Sequence, residues 1–581
     1  MRPRTHGVFP SVQRSRLLVE AWRKQERRIG EVDWNLVIRL FSQTVRWFSS
    51  WRRFCALLTL IFLVRGVVVL SVFPPLEGWD EYQHIAYIVF LLENDRPPVL
   101  KEGNDVPRSL YGDLVKYPHG EFALEQLRGI GALSYEAFWQ ADSPPAVPSD
   151  PPSIRLYQAQ QSSFYYALVA PLYAWLSARG GLLAAMTGLR ALNILFGGAA
   201  LVLALWAVGR LVHASAHRYL LGLLIVSQPL FLLDCARVAN DALALFLGTL
   251  TVVILLVITP RHYLAASVGA GLALGLGVLA KAINLGLAPL VAYVFVSMAW
   301  KKQLAIRRAM IGLVVLTAGA AAISLHTFYF NLMHFGMLTP MQEAVQNRAE
   351  GRTLSDYIEA ATQLDWWHEI SRRYLRHSLW CGGWSMLSAP RWLVRLQQYS
   401  IQFAVLGGLF LIHRETRRKR WLFTRPDVVA RLLALCLGMT GALCYHMLHS
   451  FLALPNVATN IWYAAVTFPW LLCLFYQGIA GFPRPWITHF LGAQMLILFL
   501  VTEFYGTLVT MVRKYTGHGW DAAGWDRLAA LHLPGLGPSA TLPALALAVV
   551  LLLLAASAWI NVVRGGEALK SPGPAPQTGG T

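Results

Sequence analysis

The sequence predicts an all-α polytopic membrane protein with about 12 (11–13) transmembrane helices and large extracytoplasmic loops. The 581 residues are 56% hydrophobic and only 14% charged, well below the roughly 25% charge that is usual for a globular domain. Continuous apolar runs of about 20 residues, each long enough to cross a bilayer, recur along the chain. Because these runs do not alternate between apolar and polar residues, they exclude a transmembrane β-barrel.

Charge gives the orientation of the spans. The apolar runs lie near residues 54–73, 189–209, 219–236, 239–258, 264–280, 282–299, 309–330, 399–413, 428–450, 460–480, 487–511 and 541–563. The net charge of +19 comes largely from basic residues in short segments between these runs. With the amino terminus inside, the basic connections at 210–218, 301–308 and 414–425 fall on the cytoplasmic side, as the positive-inside rule requires. This orientation explains the basic charge without a nucleic-acid partner.

The resulting organisation has five parts. They are a basic amphipathic cytoplasmic segment at 1–53, a catalytic membrane module at 54–330 with an outer loop at 74–188, an extracytoplasmic loop at 331–398, C-terminal transmembrane helices at 399–563, and a disordered cytoplasmic tail at 564–581. Within the first part, an apolar face that includes Trp34, Phe41 and Phe48 predicts a helix lying on the membrane surface. The segment 164–178 is short for a crossing and is interpreted as a helix along the outer surface, with a thirteenth crossing as the alternative.

Two adjacent carboxylates, Asp80 and Glu81, follow the first apolar run at the start of the long outer loop. The pattern from here is helical, so Asp80, His84 and Tyr87 share one face. A carboxylate in low-dielectric surroundings has a raised pKa, which suits a general base, although the pair would equally suit a divalent cation. The alternative is a pair of helix N-terminal carboxylates stabilised by the helix dipole. Residue spacing leaves these interpretations open.

A second set of charges is predicted to reach the same side of the membrane. Asp234, Arg237 and Asp241 lie in a short outer turn between two apolar runs, and Lys281 stands alone between two others. Ionisable residues at a membrane boundary are functional candidates by default. Arg190, Arg237 and Lys281 are interpreted as a clamp for the phosphate of a lipid carrier. Local salt bridges, helix capping and snorkelling are the alternatives.

The outer loops and the cytoplasmic side narrow the substrate class. The loop 331–398 carries aromatic residues such as Trp384, which form either an interfacial belt or a stacking platform for sugars. No glycine-rich phosphate-binding motif occurs in a strand–helix context. The substrate is therefore predicted to come from the membrane or from outside.

The order of these motifs resembles that of the GT-C-fold multi-pass membrane glycosyltransferases, which use polyprenyl- or dolichyl-phosphate sugars, as mannosyl- and arabinosyltransferases do. The Asp-Glu motif of the first outer loop in that family matches Asp80-Glu81-x-x-His84. The other matching elements are Gln161 with Tyr165-Tyr166, Arg190-x-x-Asn193, Asn240-Asp241 and Ala280-Lys281. An outer element of a related bacterial membrane family resembles Leu379-Trp380-Cys381-Gly382-Gly383-Trp384. An Arg-Tyr element of the family is represented here by Trp462-Tyr463, without the arginine.

The resemblance implies an inverting displacement at the extracytoplasmic face of a bacterial plasma membrane. In it, Asp80 would be the catalytic base that deprotonates an acceptor hydroxyl, and Glu81 would orient Asp80 or the acceptor. Substrate would be bound by His84, Tyr87, Gln161, Tyr165, Arg190, Arg237, Asp241, Lys281 and Trp384. The donor would be a polyprenyl-phosphate-linked sugar, and the acceptor a glycan, lipid or protein. No metal ligands are assigned, and a divalent cation stays open.

Two alternatives to this enzyme are a lipid or glycan transporter or flippase, and a non-catalytic protein of the same fold. The charges concentrate at one face of the membrane rather than at its midplane, and no inverted repeat is evident, which favours an enzyme over a transporter. The missing arginine before Tyr463 is the feature that favours the non-catalytic alternative.

Overall fold

The computed structural model describes residues 34–99, 104–379, 382–413, 422–425, 427–454, 457 and 459–568. These residues contain helices and turns but no strand, and their β-pairing is limited to three isolated bridges. The predicted disorder of residues 1–15, most of the predicted C-terminal tail, and Trp380 lie outside the described residues.

The described residues include nine helices that are long and apolar enough to cross a membrane, or ten if one bent pair forms a single span. The nine are Trp51–Val72, Phe164–Leu211, Tyr263–Ala280, Ala282–Trp300, Ile306–Phe335, Asp427–Ala453, Ile461–Ala480, Pro485–Thr516 and Pro538–Arg564. The bent pair joins Ser215–Ser227 to Pro229–Cys235 at an angle of 48°. The prediction of an all-α polytopic membrane protein is therefore confirmed.

The count of candidate spans is smaller than the predicted twelve because two of the predicted runs form less suitable helices. Asp241–Val257 is apolar but only 17 residues long. Arg391–His413 is longer but carries Gln397, Gln398 and Gln402 among its apolar residues. Both runs are helical as predicted, and neither is among the candidate spans.

Shorter helices build the outer segments and the amino-terminal region. The predicted amphipathic helix is Trp34–Trp47, and the others are Glu81–Asn94, Tyr111–Val115, Glu121–Leu127, Tyr135–Gln140, Gln342–Ala349, Leu354–Gln363, Trp366–Ser371, Val512–Thr516 and Ala522–Ala530. Tight 3₁₀ turns occur at Arg108–Leu110, Arg128–Ile130, Tyr157–Gln160, Ala282–Leu287, His377–Leu379 and Ile461–Thr467. Wider π turns occur at Arg372–Arg376 and Tyr505–Met511.

The helix Phe164–Leu211 is bent back on itself. Gly181 has a φ of 65°, a conformation that only glycine adopts readily, and the helix breaks there. In a straight helix Leu176 and Gly188 would be about 18 Å apart, but here Leu176 packs directly onto Gly188. The segment 164–178, predicted as a surface helix, is thus the first arm of a helical hairpin.

Two hydrophobic cores organise the molecule. The larger core lies among the membrane helices. An ion pair lies among the same helices, in which Arg65 Nε donates to Oε1 of the partly buried Glu503 at 2.8 Å. The smaller core lies under the outer loop, where Tyr82 and Tyr87 belong to the same cluster as Tyr166 of the hairpin Phe164–Leu211. This second core holds the start of Glu81–Asn94, and with it Asp80, above the membrane helices.

Candidate active site

A cavity of about 1070 Å³ opens beside Asp80. The part of its lining that comes from the outer loop is mostly polar, and includes Tyr157, Gln158, Gln160 and Gln161. The part that comes from the membrane helices is largely apolar, and includes Val278, Leu279, Ile283, Leu285 and Phe328. A third part is charged and comes from the predicted extracytoplasmic loop, with Glu343, Glu369, Arg372 and Arg376. The cavity thus offers a polar surface, an apolar surface and a surface with charges of both signs to one ligand or to two.

Asp80 itself has an unusual backbone conformation. Its φ of 58° and ψ of 11° are left-handed, which costs a non-glycine residue about 1–3 kcal/mol. Although Asp80 immediately precedes the helix Glu81–Asn94, its side chain makes no capping hydrogen bond. The side chain is therefore not used as the cap, whereas the backbone is, since the Asp80 carbonyl accepts from the amides of Gln83 and His84 at 2.9 and 3.0 Å. A strained backbone whose side chain is not used as the cap points to a function of that side chain outside the helix.

The carboxylate of Asp80 instead faces Tyr157 and the cavity. The hydroxyl of Tyr157 donates to Asp80 Oδ1 at 2.6 Å. Among the described residues the second carboxylate oxygen has no hydrogen-bond partner, and Asp80 lines the cavity. Burial raises the pKa of Asp80, while the hydrogen bond from Tyr157 and the charge of Arg237 act in the opposite direction. The result is a carboxylate of increased basicity with one oxygen available to a substrate.

Glu81, in contrast, points away from the cavity into a buried ion pair. Arg190 donates from Nε to Glu81 Oε1 at 2.7 Å and from Nη2 to Oε2 at 2.6 Å. The guanidinium also donates to the carbonyls of Phe73 and Pro74, both at 2.7 Å. Neither residue lines the cavity. The structure therefore places Glu81 and Arg190 where they fasten the loop before Asp80 to the helix hairpin.

A second buried chain of charges runs from Asp234 to Lys281. Arg237 Nη2 lies 2.7 Å from Asp234 Oδ1 and 2.8 Å from Asp241 Oδ2. Lys281 pairs with Asp241 in turn. Of these four residues, only Lys281 lines the cavity, where its Nζ lies 4.6 Å from the centre of the Tyr463 ring. Lys281 is the member of this chain that can meet a phosphate.

Three of the predicted substrate-binding residues, His84, Tyr87 and Tyr165, lie behind the cavity wall. His84 Nδ1 lies 2.8 Å from the hydroxyl of Tyr166, and the ring of Tyr87 stacks on Tyr166 at 3.8 Å. The hydroxyl of Tyr165 bonds to Asn193 Oδ1 at 3.2 Å. Burial lowers the pKa of His84 well below its ordinary value, so its ring is neutral. These side chains form the outer core under Asp80 rather than a contact surface for substrate.

Trp384 reaches the cavity because Glu77 holds its backbone. The Trp384 amide donates to the Glu77 carbonyl at 2.7 Å, and the Ser385 amide donates to Glu77 Oε1 at 2.7 Å. Gly383 permits this approach, since any Cβ there would overlap the Glu77 carbonyl. Tyr135 also donates to Glu77 Oε2 at 3.0 Å. Burial raises the pKa of Glu77 to about 7.

Four of the eleven predicted site residues therefore line the cavity: Asp80, Gln161, Lys281 and Trp384. The other seven stand behind it: Glu81, His84, Tyr87, Tyr165, Arg190, Arg237 and Asp241. Sequence reasoning missed Tyr157, one of 21 tyrosines and without a local signal. It also missed Arg372 and Arg376, for which a signal existed, namely two arginines one helical turn apart in a predicted outer loop.

The described residues contain no group of three or more His, Cys, Asp or Glu side chains that could hold a metal ion.

Comparison with known proteins gives limited information. No family model matches the chain, and no curated protein matches it either. Among solved structures, the chain is similar to ArnT from Cupriavidus metallidurans bound to undecaprenyl phosphate. The two share 12% sequence identity over 87% of this chain and 77% of that chain, with a TM-score of 0.39. At this level of similarity the function has to be inferred from the chemistry of the site.

Proposed function

We propose that the protein is a GT-C-like membrane glycosyltransferase that moves a sugar from a polyprenyl-phosphate carrier to an acceptor hydroxyl. The observation that carries this proposal is Asp80, whose backbone is strained and whose carboxylate is not used as a helix cap and lines a large cavity. The order of the sequence motifs, which resembles that of the GT-C glycosyltransferases, supports the same assignment.

In the proposed reaction Asp80 accepts the proton of the acceptor hydroxyl. The acceptor oxygen then attacks the anomeric carbon while the carbon–oxygen bond to the phosphate breaks, and the electron pair leaves with the polyprenyl phosphate. Because the sugar is displaced once, the anomeric configuration inverts. Tyr157 is a positioning residue that holds Asp80 through Oδ1 and leaves the other oxygen to the acceptor.

The leaving phosphate needs cations on the cavity wall. Lys281 is one, although it also pairs with Asp241. Arg372 and Arg376 line the same cavity and have no ion-pair or hydrogen-bond partner for their side chains among the described residues. Arginine binds phosphate through two parallel N–H donors. These two arginines therefore supply the charge that the sequence lacks before Tyr463.

The apolar part of the cavity suits the carrier lipid. Val278, Leu279 and Leu285 come from the helix Tyr263–Ala280 and the turn after it, and Phe328 comes from Ile306–Phe335. An isoprenoid chain lying on these side chains would place its phosphate near Lys281, which stands between Val278 and Leu285 in the sequence.

The test is sugar transfer by purified protein in nanodiscs, with labelled polyprenyl-phosphate mannose and polyprenyl-phosphate arabinose as separate donors. We expect release of sugar from one donor, and a rate about 10²–10⁴ lower in Asp80→Asn. Asp95→Asn is the matched control, since Asp95 is an exposed aspartate with a left-handed φ of 51° at the other end of the same helix.

Unchanged turnover in Asp80→Asn would contradict the role of Asp80 as base. Movement of the intact donor across the bilayer of proteoliposomes, without any release of sugar in the nanodisc assay, would contradict the enzyme and support a flippase.

A further inference from the structure

The outer part of the cavity contains a pair of neighbouring aromatic rings, of which Phe122 is exposed and Trp384 is largely buried in the smaller core. Phe122 and Trp384 lie with ring centroids 6.1 Å apart and their planes inclined by 32°. Phe122 is 45% exposed, although it is a large apolar side chain in a protein that has an outer hydrophobic core nearby. The indole N–H of Trp384 is buried and has no partner among the described residues. Both residues line the cavity.

The backbone is built to bring these two rings together. Gly120 immediately precedes the helix Glu121–Leu127 that carries Phe122. A Cβ on Gly120 would lie 2.8 Å from the carbonyl carbon of Trp384, so only glycine allows this approach. On the other side, Gly383 allows Trp384 to dock on Glu77. Two close glycine contacts thus fix the relative position of Phe122 and Trp384.

Amide groups line the same cavity as the aromatic pair. Gln126 is one turn after Phe122 on the same helix face, and its Oε1 accepts from Tyr82, which leaves its NH₂ to donate elsewhere. Gln158 and Gln160 also line the cavity, and their Oε1 atoms are buried with no partner among the described residues. A buried amide oxygen without a partner costs free energy of folding. This cost would be removed by a ligand that donates hydrogen bonds at these positions.

We infer that the acceptor is a saccharide, and that its terminal pyranose ring packs on Phe122 and Trp384 with its hydroxyls bonded to the glutamines. The inference rests on the proposed function, because it assigns the acceptor of the same site. A pyranose has an apolar face that stacks on aromatic rings and a rim of hydroxyls that both donate and accept hydrogen bonds. The outer part of the cavity offers the complementary surfaces for both.

One 3₁₀ turn, Tyr157–Gln160, connects this subsite to the catalytic base. It contains Tyr157 as well as the two glutamines Gln158 and Gln160. Tyr157 bonds to Asp80, whereas Lys281, on the phosphate side of the cavity, comes from the membrane helices. In a single displacement the acceptor and the leaving phosphate lie on opposite sides of the anomeric carbon. The outer subsite therefore belongs to the acceptor, and the donor sugar lies between it and Lys281.

The first experiment measures the kinetics of Phe122→Ala, whose exposed position tolerates truncation. We expect the KM for the acceptor to rise about tenfold, with the KM for the donor unchanged. Trp367→Ala is the matched control, since Trp367 is an aromatic residue of the outer segments that is 83% exposed and does not line the cavity. Equal KM values for the acceptor in wild type and Phe122→Ala would overturn the inference.

The second experiment does not depend on turnover. Saturation-transfer NMR of wild-type protein in nanodiscs is recorded with mannotriose, maltotriose and chitotriose as separate probes, and with sorbitol as a polyol that has no ring face. We expect a signal from at least one trisaccharide, none from sorbitol, and loss of the signal in Phe122→Ala but not in Trp367→Ala.

The outcomes separate the two proposals. Trisaccharide binding that depends on Phe122, in a protein without transferase activity, would support the subsite and contradict the proposed function. Sugar transfer without any trisaccharide signal, or with a signal that Phe122→Ala leaves unchanged, would support the function and overturn the saccharide subsite. A donor KM that rises with the acceptor KM unchanged would assign these rings to the donor sugar and overturn the acceptor assignment.

Discussion

The charged residues near Asp80 fall into two regions that differ in how they are paired. In the first region three carboxylates are matched by three cations in ion pairs, and of these six residues only Lys281 also lines the cavity: Glu81, Asp234, Asp241, Arg190, Arg237 and Lys281. On the cavity wall, Asp80, Arg372 and Arg376 have no ion-pair partner among the described residues. The paired region is a framework that fixes the loop and helix ends, and the cavity wall holds charges that are available to a ligand.

This difference separates the sequence motifs by role. In the Asp-Glu pair, Asp80 belongs to the cavity wall and Glu81 to the framework, although they are adjacent in the chain. Asp80 has a left-handed backbone and its side chain bonds to Tyr157, whereas the side chain of Glu81 bonds to Arg190. A motif can therefore combine one residue that meets substrate with others that hold it in place.

The largest expected effect comes from breaking the framework at Arg190→Met. This change leaves the buried Glu81 carboxylate without its cation, with the amides of Gly78 and Val238 as its remaining donors, and removal of one member of a buried ion pair costs about 3–5 kcal/mol. We expect a large drop in the thermal unfolding temperature, measured by scanning fluorimetry in nanodiscs, whereas Asp80→Asn should leave that temperature nearly unchanged.

Two variants sharpen this first prediction. Arg128→Met is the control, since Arg128 is an exposed arginine of the same outer loop. The double variant Glu81→Gln with Arg190→Met removes both charges and should be more stable than Arg190→Met alone. A double variant that is less stable than the single one would show that the ion pair is not the reason for the loss.

The helical class and the positions of the apolar runs were predictable because bilayer-length hydrophobicity is a local property of the sequence. The number of spans was harder to predict, because Asp241–Val257 is short for a crossing and Arg391–His413 contains glutamines. Within the site, the sequence identified Asp80 and Lys281 as candidates. It could not tell that Arg190 is buried in an ion pair with Glu81, because these two residues are 109 positions apart. The ion pairs of Arg237 with Asp234 and Asp241 are local, and such salt bridges were among the alternatives that the sequence left open.

A smaller effect is expected from Tyr157→Phe, which acts on the cavity wall alone. The hydrogen bond from Tyr157 lowers the pKa of Asp80, so its removal should raise that pKa further. A base must be ionised to act, so activity is lost as the pH falls through the pKa of Asp80. We expect the acidic limb of the pH–rate profile to move to higher pH, with little change on the alkaline plateau.

A matched control for Tyr157→Phe is Tyr111→Phe. Tyr111 is also a buried tyrosine of the outer loop, but its hydroxyl donates to the carbonyl of Pro152 at 3.2 Å and it does not line the cavity. Its pH–rate profile should match that of the wild type. An acidic limb that stays in place in Tyr157→Phe would contradict the assignment of Asp80 as the titrating base.

The smallest effect is expected at Glu77, which joins the two regions by holding Trp384 at the cavity. Its pKa is raised from 4.5 to about 7 by burial, against the hydrogen bonds from Ser385 and Tyr135. Between these two pH values the folded protein retains a proton that the unfolded chain has lost. The contribution of Glu77 to stability is therefore fully present below pH 4.5 and is lost as the pH rises toward 7.

Glu77→Gln removes this titration while it keeps an acceptor for the Ser385 amide. We expect the unfolding temperature of the wild type to fall, relative to that of Glu77→Gln, as the pH is raised from 5 to 7.5, because only the wild type must then bury an ionising carboxylate. Subtraction of the two curves cancels the other titrating groups, including the nearby Glu121. Parallel curves for the two proteins over this range would mean that Glu77 is already ionised in the folded state. The hydrogen bond from the Ser385 amide to Glu77, which positions Trp384, would then be charge-assisted and stronger than a bond to a neutral carboxyl. The position of the cavity wall would depend on the charge of Glu77 as well as on packing.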